Sequence, residues 1–340
     1  MDDGIYDHSN KAGNEGDVIK HAFLLDIVDR LLAERKDSSG RFWYVDTHTA
    51  RPYHRLSSSG RWAYGVGRMR KRADLPPIFA NYLASSFYED DLITKKKTAF
   101  AHLGTRLYLG SSAIVYQRIK DKMPKLPLAM TLFDIDKNVA LALFDYYGQQ
   151  QAEPVMTFLD KNQLSEHGKA ALNALWNTLG QSRCLVIKGS SYDYLSGICP
   201  LSAEQHPDLV FVDPHKFGDQ REGIERVLAH CQESKTHFLC WTPLQAVPEE
   251  TFSPDDWSFT FHDDEKAFVE TCQRQNYRMA WFAWGSVKGA KQGCYGCQLT
   301  FDTSCDVSRL REVVEEVRSS CQEIGIRTKQ GHFRVKCWPE

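Results

Sequence analysis

No run approaching the roughly 20 apolar residues that a bilayer-spanning helix requires occurs in the 340-residue sequence. The opening Met-Asp-Asp-Gly-Ile-Tyr has neither a basic segment nor an apolar one, so a cytoplasmic protein is expected, neither secreted nor membrane-bound. Charge of one sign is lacking too. Forty-two Lys and Arg against 44 Asp and Glu leave a net charge of -2, which argues against a uniformly basic nucleic-acid coat but leaves room for a local basic face. Internal repeats and low-complexity linkers are missing, so residues 1–340 read as one domain. The ten cysteines lack the second CxxC of a paired zinc site. Cys294-Tyr-Gly-Cys297 stands alone and reads as core packing, and no metal is expected. Others lie in apolar runs, as at Cys184 and Cys240, and read as reduced and buried. What is present is an ordinary globular composition, 42% hydrophobic and 25% charged, in a chain long enough to bury a core without staples.

The sequence alternates short apolar runs with helical patterns. Phe42–Val45, Leu128–Phe133, Cys184–Ile187, Leu209–Val212 and His237–Trp241 have the length and the β-branched or aromatic content of buried parallel strands. Arg278–Trp284 and Cys297–Phe301 add an antiparallel pair. Helical spacing recurs over Val139–Tyr147, Glu166–Leu179 and Arg221–Cys231. An N-terminal helix starts at the cap residues Gly13-Asn14-Glu15-Gly16-Asp17 and is marked by Ile19, Ala22, Phe23, Ile27, Val28, Leu31 and Leu32. Strands alternating with helices imply an α/β fold with a doubly wound, mostly parallel, seven-stranded sheet. Residues 56–105 break the rhythm and read as a helical insertion. Residues 306–340 read as a tail, with helix Val307–Ile324 followed by strand His332–Trp338.

In open sheets of this kind, ligands bind at the carboxyl ends of the strands near the reversal of strand order. Four of these strands end in Asp46, in Asp134, in Lys188-Gly-Ser-Ser and in Asp213-Pro214. A carboxylate after the second strand suits the paired hydroxyls of a ribose, and one after the fourth suits a reacting amine. Acids that merely cap helices or end strands are the alternative for each one taken singly; in this order they favour a nucleoside cofactor.

Tyr6-Asp-His8-Ser-Asn-Lys-Ala12-Gly13-Asn14-Glu-Gly-Asp17-Val-Ile-Lys20-His21 resembles the N-terminal signature of RlmJ-type methyltransferases, which methylate adenine N6 in large-subunit ribosomal RNA. The likeness continues at Val45-Asp46-Thr47-His48, Tyr108-Leu-Gly110-Ser111, Phe133-Asp134 and Val212-Asp213-Pro214, and it covers most of the chain. It implies the fold of S-adenosylmethionine (SAM)-dependent methyltransferases. It also implies a SAM site lined by Lys20, His21, His48, Ser111 and Asp134, with Asp134 on the ribose and Ser190 and Ser191 beside the adenine ring. Asp213 matches the catalytic acid, and Tyr6 and His8 match a segment close to the active site, on the substrate side. Three departures surround this site. Thr49-Ala50-Arg51-Pro52-Tyr53 replaces a glycine-rich turn, so a Cβ at Ala50 and a fixed φ at Pro52 should narrow or reshape the pocket. Asp213-Pro214-His215-Lys216-Phe217 replaces Asp-Pro-Pro-Tyr, whose aromatic stacks on the flipped base. Ser190 replaces an acid.

Arg68-Met-Arg70-Lys71-Arg72 and Lys95–Lys97 are basic clusters in the insertion, and Arg118–Lys125 adds four more cations. Arg70, Lys71 and Arg72 are the candidates for contact with RNA, against the plainer reading of solvated faces. Three functions therefore stand: a SAM-dependent methyltransferase acting on a base amine of nucleic acid, RNA adenine first; a non-catalytic binding or assembly module that keeps the fold; and a methyltransferase for a different acceptor.

Overall fold

The computed structural model describes residues 11–35, 40–56, 60–89, 106–150, 157–160, 183–195, 206–215, 217–248, 263–285, 293–326 and 333–339. Tyr6, His8, Lys95–Lys97, Lys216 and the expected helix Glu166–Leu179 lie outside them. Among the described residues, no helix is long and apolar enough to cross a membrane.

The described chain opens with helix α1 (Glu15–Glu34), which begins where the Asn14 side chain accepts a hydrogen bond from the Asp17 amide. That side-chain bond satisfies one of the unpaired amides of the first helical turn. Then come strand β1 (Phe42–Asp46), β2 (Tyr53–Arg55), helices α2 (Val66–Met69) and α3 (Pro77–Ser85), β3 (Phe87–Glu89), β4 (Arg106–Leu109) and helix α4 (Ser111–Lys122). The middle of the chain supplies β5 (Leu128–Asp134), α5 (Lys137–Gln150), β6 (Thr157–Asp160), β7 (Arg183–Lys188), α6 (Ser191–Leu195), β8 (Leu209–Val212) and α7 (Arg221–Glu233). The last third adds β9 (His237–Pro248), α8 (Asp263–Arg274), β10 (Arg278–Gly285), β11 (Gly293–Phe301), α9 (Val307–Glu323) and β12 (Arg334–Trp338).

Nine strands form the main sheet, in the order β12-β10-β11-β9-β8-β1-β5-β7-β6. The seven expected strands occupy its middle, and the expected count is corrected by one addition at each edge. The tail strand β12 pairs antiparallel with β10, and β6 pairs parallel with β7. Strand order reverses at β1, which has parallel neighbours β5 and β8 on its two sides. This reversal opens a crevice at the carboxyl ends of these three strands. A second sheet, β2-β4-β3, is antiparallel and sits at the border of the insertion, which is therefore not wholly helical.

Successive residues of a strand face opposite sides, and both faces of this sheet are covered. Phe42, Tyr44, Met130, Leu132, Val186 and Phe211 join one core with residues of α1, α4, α5 and α9. Trp43, Val45, Phe133, Leu185, Val210 and Val212 join a second core with residues of α7 and α8. Burial on both sides is why these strands are continuous apolar runs without polar alternation.

The insertion packs on the N-terminal signature at a place where only glycine fits. A Cβ at Gly65 would stand 2.3 Å from the Gly13 carbonyl oxygen and 2.4 Å from the Asn14 carbonyl carbon, and the Val66 amide donates to that Gly13 oxygen at 2.9 Å. On its far side the insertion grips the end of α9: Arg68 donates to the Gly325 carbonyl, and Arg72 donates to the Glu323 carbonyl and pairs with Asp74. Cations at a helix C-terminus complement its exposed carbonyls. Two guanidiniums of the basic cluster thus have structural partners. Arg70 is half-buried, and Lys71 is exposed.

Candidate functional site

The residues of the N-terminal signature interlock. Asp17 Oδ2 accepts the Gly13 amide at 2.8 Å, and Lys20 Nζ lies 2.9 Å from Asp17 Oδ1, one helical turn away. From there Lys20 reaches across the fold to Asp213 Oδ2, at 2.7 Å. Burial alone would lower the Lys20 ammonium; the carboxylates of Asp17 and Asp213 outweigh it and hold the group well above the ordinary lysine value. The next residue, His21, is buried, and its Nδ1 lies 3.0 Å from the Tyr108 hydroxyl, itself 2.9 Å from the Tyr82 hydroxyl of the insertion. Lys20 thus stands with the expected amine acceptor, while His21 fastens α1 to β4 and α3.

Asp46, at the end of β1, is fully buried, and burial pushes its carboxyl up to about 7. Ser111 Oγ donates to its Oδ2 at 2.6 Å, and the Tyr44 hydroxyl donates to the same oxygen at 3.0 Å. Ser111 therefore holds the acid of the first strand.

Asp134 ends β5 at the crevice. Its Oδ1 accepts the Asp136 amide at 2.7 Å and its Oδ2 accepts the Ala50 amide at 3.2 Å. Burial raises this carboxyl to about 6, against the pull of those two bonds. Each oxygen keeps a second acceptor position for a ligand hydroxyl. Ile135, directly after it, is 76% exposed, an apolar surface beside the acid that sequence reasoning missed. Across from it the Gly189 amide donates to the Asp134 carbonyl, which brings Ser190 and Ser191 to the same edge. Ser191 is buried, and its hydroxyl has no hydrogen-bond partner among the described residues. An acid with free lone pairs, an orphaned hydroxyl and an exposed apolar side chain fit the ribose and base of a nucleoside. The glycine-free turn fits as well, in an unexpected way: Ala50 adopts φ 55, the left-handed conformation usual for glycine, at a cost of about 1–3 kcal/mol. That conformation accompanies the bond from its amide to Asp134.

A polar cluster unforeseen in the sequence closes the other side. His48 Nε2 lies 3.0 Å from Gln220 Oε1 and 3.1 Å from the Tyr192 hydroxyl, which donates to Gln220 Oε1 at 2.7 Å. His48 Nδ1 lies 2.7 Å from Thr47 Oγ1. Burial pushes the imidazole down to about 4, so it is neutral at physiological pH. Both ring nitrogens of this expected cofactor residue therefore have partners within the protein. The one available clue to the cluster was Gly223, a glycine inside α7 whose Cβ would stand 2.6 Å from the Tyr192 ring.

No protein-family model matches the chain. The crystal structure of a Legionella pneumophila protein, LPL1258, aligns over 96% of this chain and 97% of its own, with a TM-score of 0.57 and 14% identity. The order of the sheet, reversed at β1, defines an α/β protein of the methyltransferase fold. Ribosomal RNA large subunit methyltransferase J of Haemophilus influenzae is 30% identical over 161 residues, 43% of this chain and 53% of that protein. The protein of the same name in Escherichia coli K12 is 32% identical over 83 residues, 23% of this chain and 28% of that one. The chain spans about half the length of the first of these relatives and less of the second. Over these matched segments it is similar to RlmJ proteins, as a divergent relative.

Proposed function

We propose that this protein is a SAM-dependent methyltransferase acting on a base amine of nucleic acid, with RNA adenine as the acceptor and ribosomal RNA processing in the cytoplasm as the setting. One observation carries the reading: Asp134 and Asp213 stand at the carboxyl ends of β5 and β8 on either side of β1, one with free acceptor positions for a ribose and one for an amine. The names of the two curated relatives support the ribosomal target.

Asp134, Ser190 and Ser191 would hold SAM at its nucleoside end, with His21, His48 and Ser111 supporting the walls. When bound, SAM supplies an electrophilic methyl group. Asp213 does the positioning: Lys20 occupies Oδ2, which leaves Oδ1 to accept a hydrogen bond from the incoming amine and to turn its lone pair toward the crevice. Tyr6 and His8 would border the acceptor on the N-terminal side, and Arg70 and Lys71 would meet phosphates beyond the insertion, while Arg72 is engaged by Asp74 and the Glu323 carbonyl.

A second reading, a binding module without turnover, is favoured by the same ion pair, because an ammonium 2.7 Å from Asp213 competes with an amine substrate. The two separate in one experiment. Protein is incubated with methyl-tritiated SAM and large-subunit ribosomal RNA free of protein, beside Asp213→Ala. Label in RNA that depends on Asp213 supports the enzyme. Cofactor binding without label, under conditions where a known RNA methyltransferase labels its own substrate, supports the module.

A further inference from the structure

We propose that the exposed face of Arg51, Tyr53 and Arg55 is the track on which single-stranded nucleic acid enters the crevice; this rests on the reading above and names where its acceptor lies. From Arg51 to Leu56 exposure alternates strictly. Arg51, Tyr53 and Arg55 are exposed, and Pro52, His54 and Leu56 are buried. In an extended segment residues two apart share a face, about 7 Å from one another. Tyr53 and Arg55 share that face within β2, and Arg51 stands exposed just before the bend at Pro52. Tyr53 is 44% exposed, one of three large hydrophobics left open among the described residues.

The segment lies beside the candidate site. It begins one residue after Ala50, whose amide is bonded to Asp134, and the Gly110 amide fastens it by donating to the Pro52 carbonyl at 2.9 Å. A Cβ at Gly110 would stand 2.3 Å from the Arg51 carbonyl oxygen, so the segment is pressed firmly against the start of α4. On its other side the Tyr53 ring lies 6.0 Å from the ring of Tyr146 on α5, which sets its plane. Strand β2 is also an edge of its small sheet. Neither Arg51 nor Arg55 forms an ion pair among the described residues, whereas Arg72 in the insertion pairs with Asp74.

Alternating cation and ring match a polymer that presents phosphates and unstacked bases in turn. An aromatic takes a base face, and flanking cations take the backbone. Duplex does not fit as well, since its bases are not free to stack on a side chain. An acidic peptide would use the cations and leave the ring unused, so ring dependence separates the two.

The experiment uses the full chain and a fluorescein-labelled 12-nucleotide single-stranded RNA, with anisotropy read from low to physiological salt. Tyr53→Ser should weaken binding about ten-fold and Tyr53→Trp should restore it, because base stacking persists on a larger ring. Arg55→Ser should lower the salt slope by about 0.7, the share of one phosphate on a single strand. A polyglutamate peptide should bind Tyr53→Ser and wild type alike. Titration of S-adenosylhomocysteine, the demethylated cofactor product, into the same samples checks that each variant is folded and tests the cofactor reading separately. RNA affinity unchanged in Tyr53→Ser and Arg55→Ser, with cofactor binding intact, overturns the track and leaves the methyltransferase reading standing. Wild type that binds no RNA overturns the track and the nucleic-acid acceptor together; wild type that binds RNA but no S-adenosylhomocysteine contradicts the cofactor reading and leaves the track in place.

Discussion

Lys20 and Asp213, 193 positions apart in sequence, meet at 2.7 Å with both side chains mostly buried. Their ion pair ties the N-terminal signature to the acid after β8. Removing one partner of a buried pair leaves an uncompensated charge, at a cost of about 3 kcal/mol or more. Lys20→Met strands two carboxylates, Asp17 and Asp213, and should lower the urea midpoint accordingly. Lys20→Arg, which keeps the charge, should recover part of the loss. A Lys20→Met midpoint equal to wild type would show that the pair contributes nothing to the fold.

The second expectation concerns pH. Asp46 is raised from 3.8 to about 7, so the native state binds its proton more tightly than the unfolded chain. Its contribution is fully present below pH 3.8 and is lost as pH rises through 7. His48 is lowered from 6.5 to about 4, so its contribution is present above 6.5 and is lost as pH falls through 4. Between about pH 4 and 6.5 the two slopes oppose each other. Asp46→Asn should make stability rise with pH across that range relative to wild type, and His48→Gln should make it fall. Urea midpoints at half-unit steps of pH would read this, and parallel curves for all three proteins would refute it.

Gly223 gives a third test. A methyl group there meets the Tyr192 ring at 2.6–3.0 Å, so Gly223→Ala must push the ring from Gln220 and His48. Overpacking of this kind costs about 1–3 kcal/mol. That exceeds the roughly 1 kcal/mol gained by replacing glycine inside a helix, so the melting temperature should fall. In a Tyr192→Ala background the same change should be neutral or stabilising. A rise in the wild-type background would mean that the ring moves aside freely.

Much of this architecture was legible because a strand buried on both faces is an unbroken apolar run, as in Phe42-Trp-Tyr-Val45. The extra edge strand Thr157–Asp160 has four residues and little such signal, and the three short strands of the small sheet have less. Asp46, Asp134 and Asp213 were readable at the site because each directly follows or ends a strand. The Tyr192–His48–Gln220 cluster was not, since its members lie up to 172 positions apart and hydrogen bonds over such spans leave no local pattern. Ala50 was misleading for a different reason. Its side chain suggests an occluded turn, whereas its backbone takes the conformation expected of glycine.

The central claim is that the crevice at the ends of β1, β5 and β8 holds a nucleoside cofactor through Asp134. Calorimetric titration of S-adenosylhomocysteine into wild type and Asp134→Ala tests it most directly. The wild type should bind with measurable heat, and Asp134→Ala should bind at least ten-fold more weakly, in line with the roughly 1–3 kcal/mol lost when a buried hydrogen-bonding edge is left unpaired. No heat from wild type at millimolar ligand, or equal affinity in the two proteins, would contradict it.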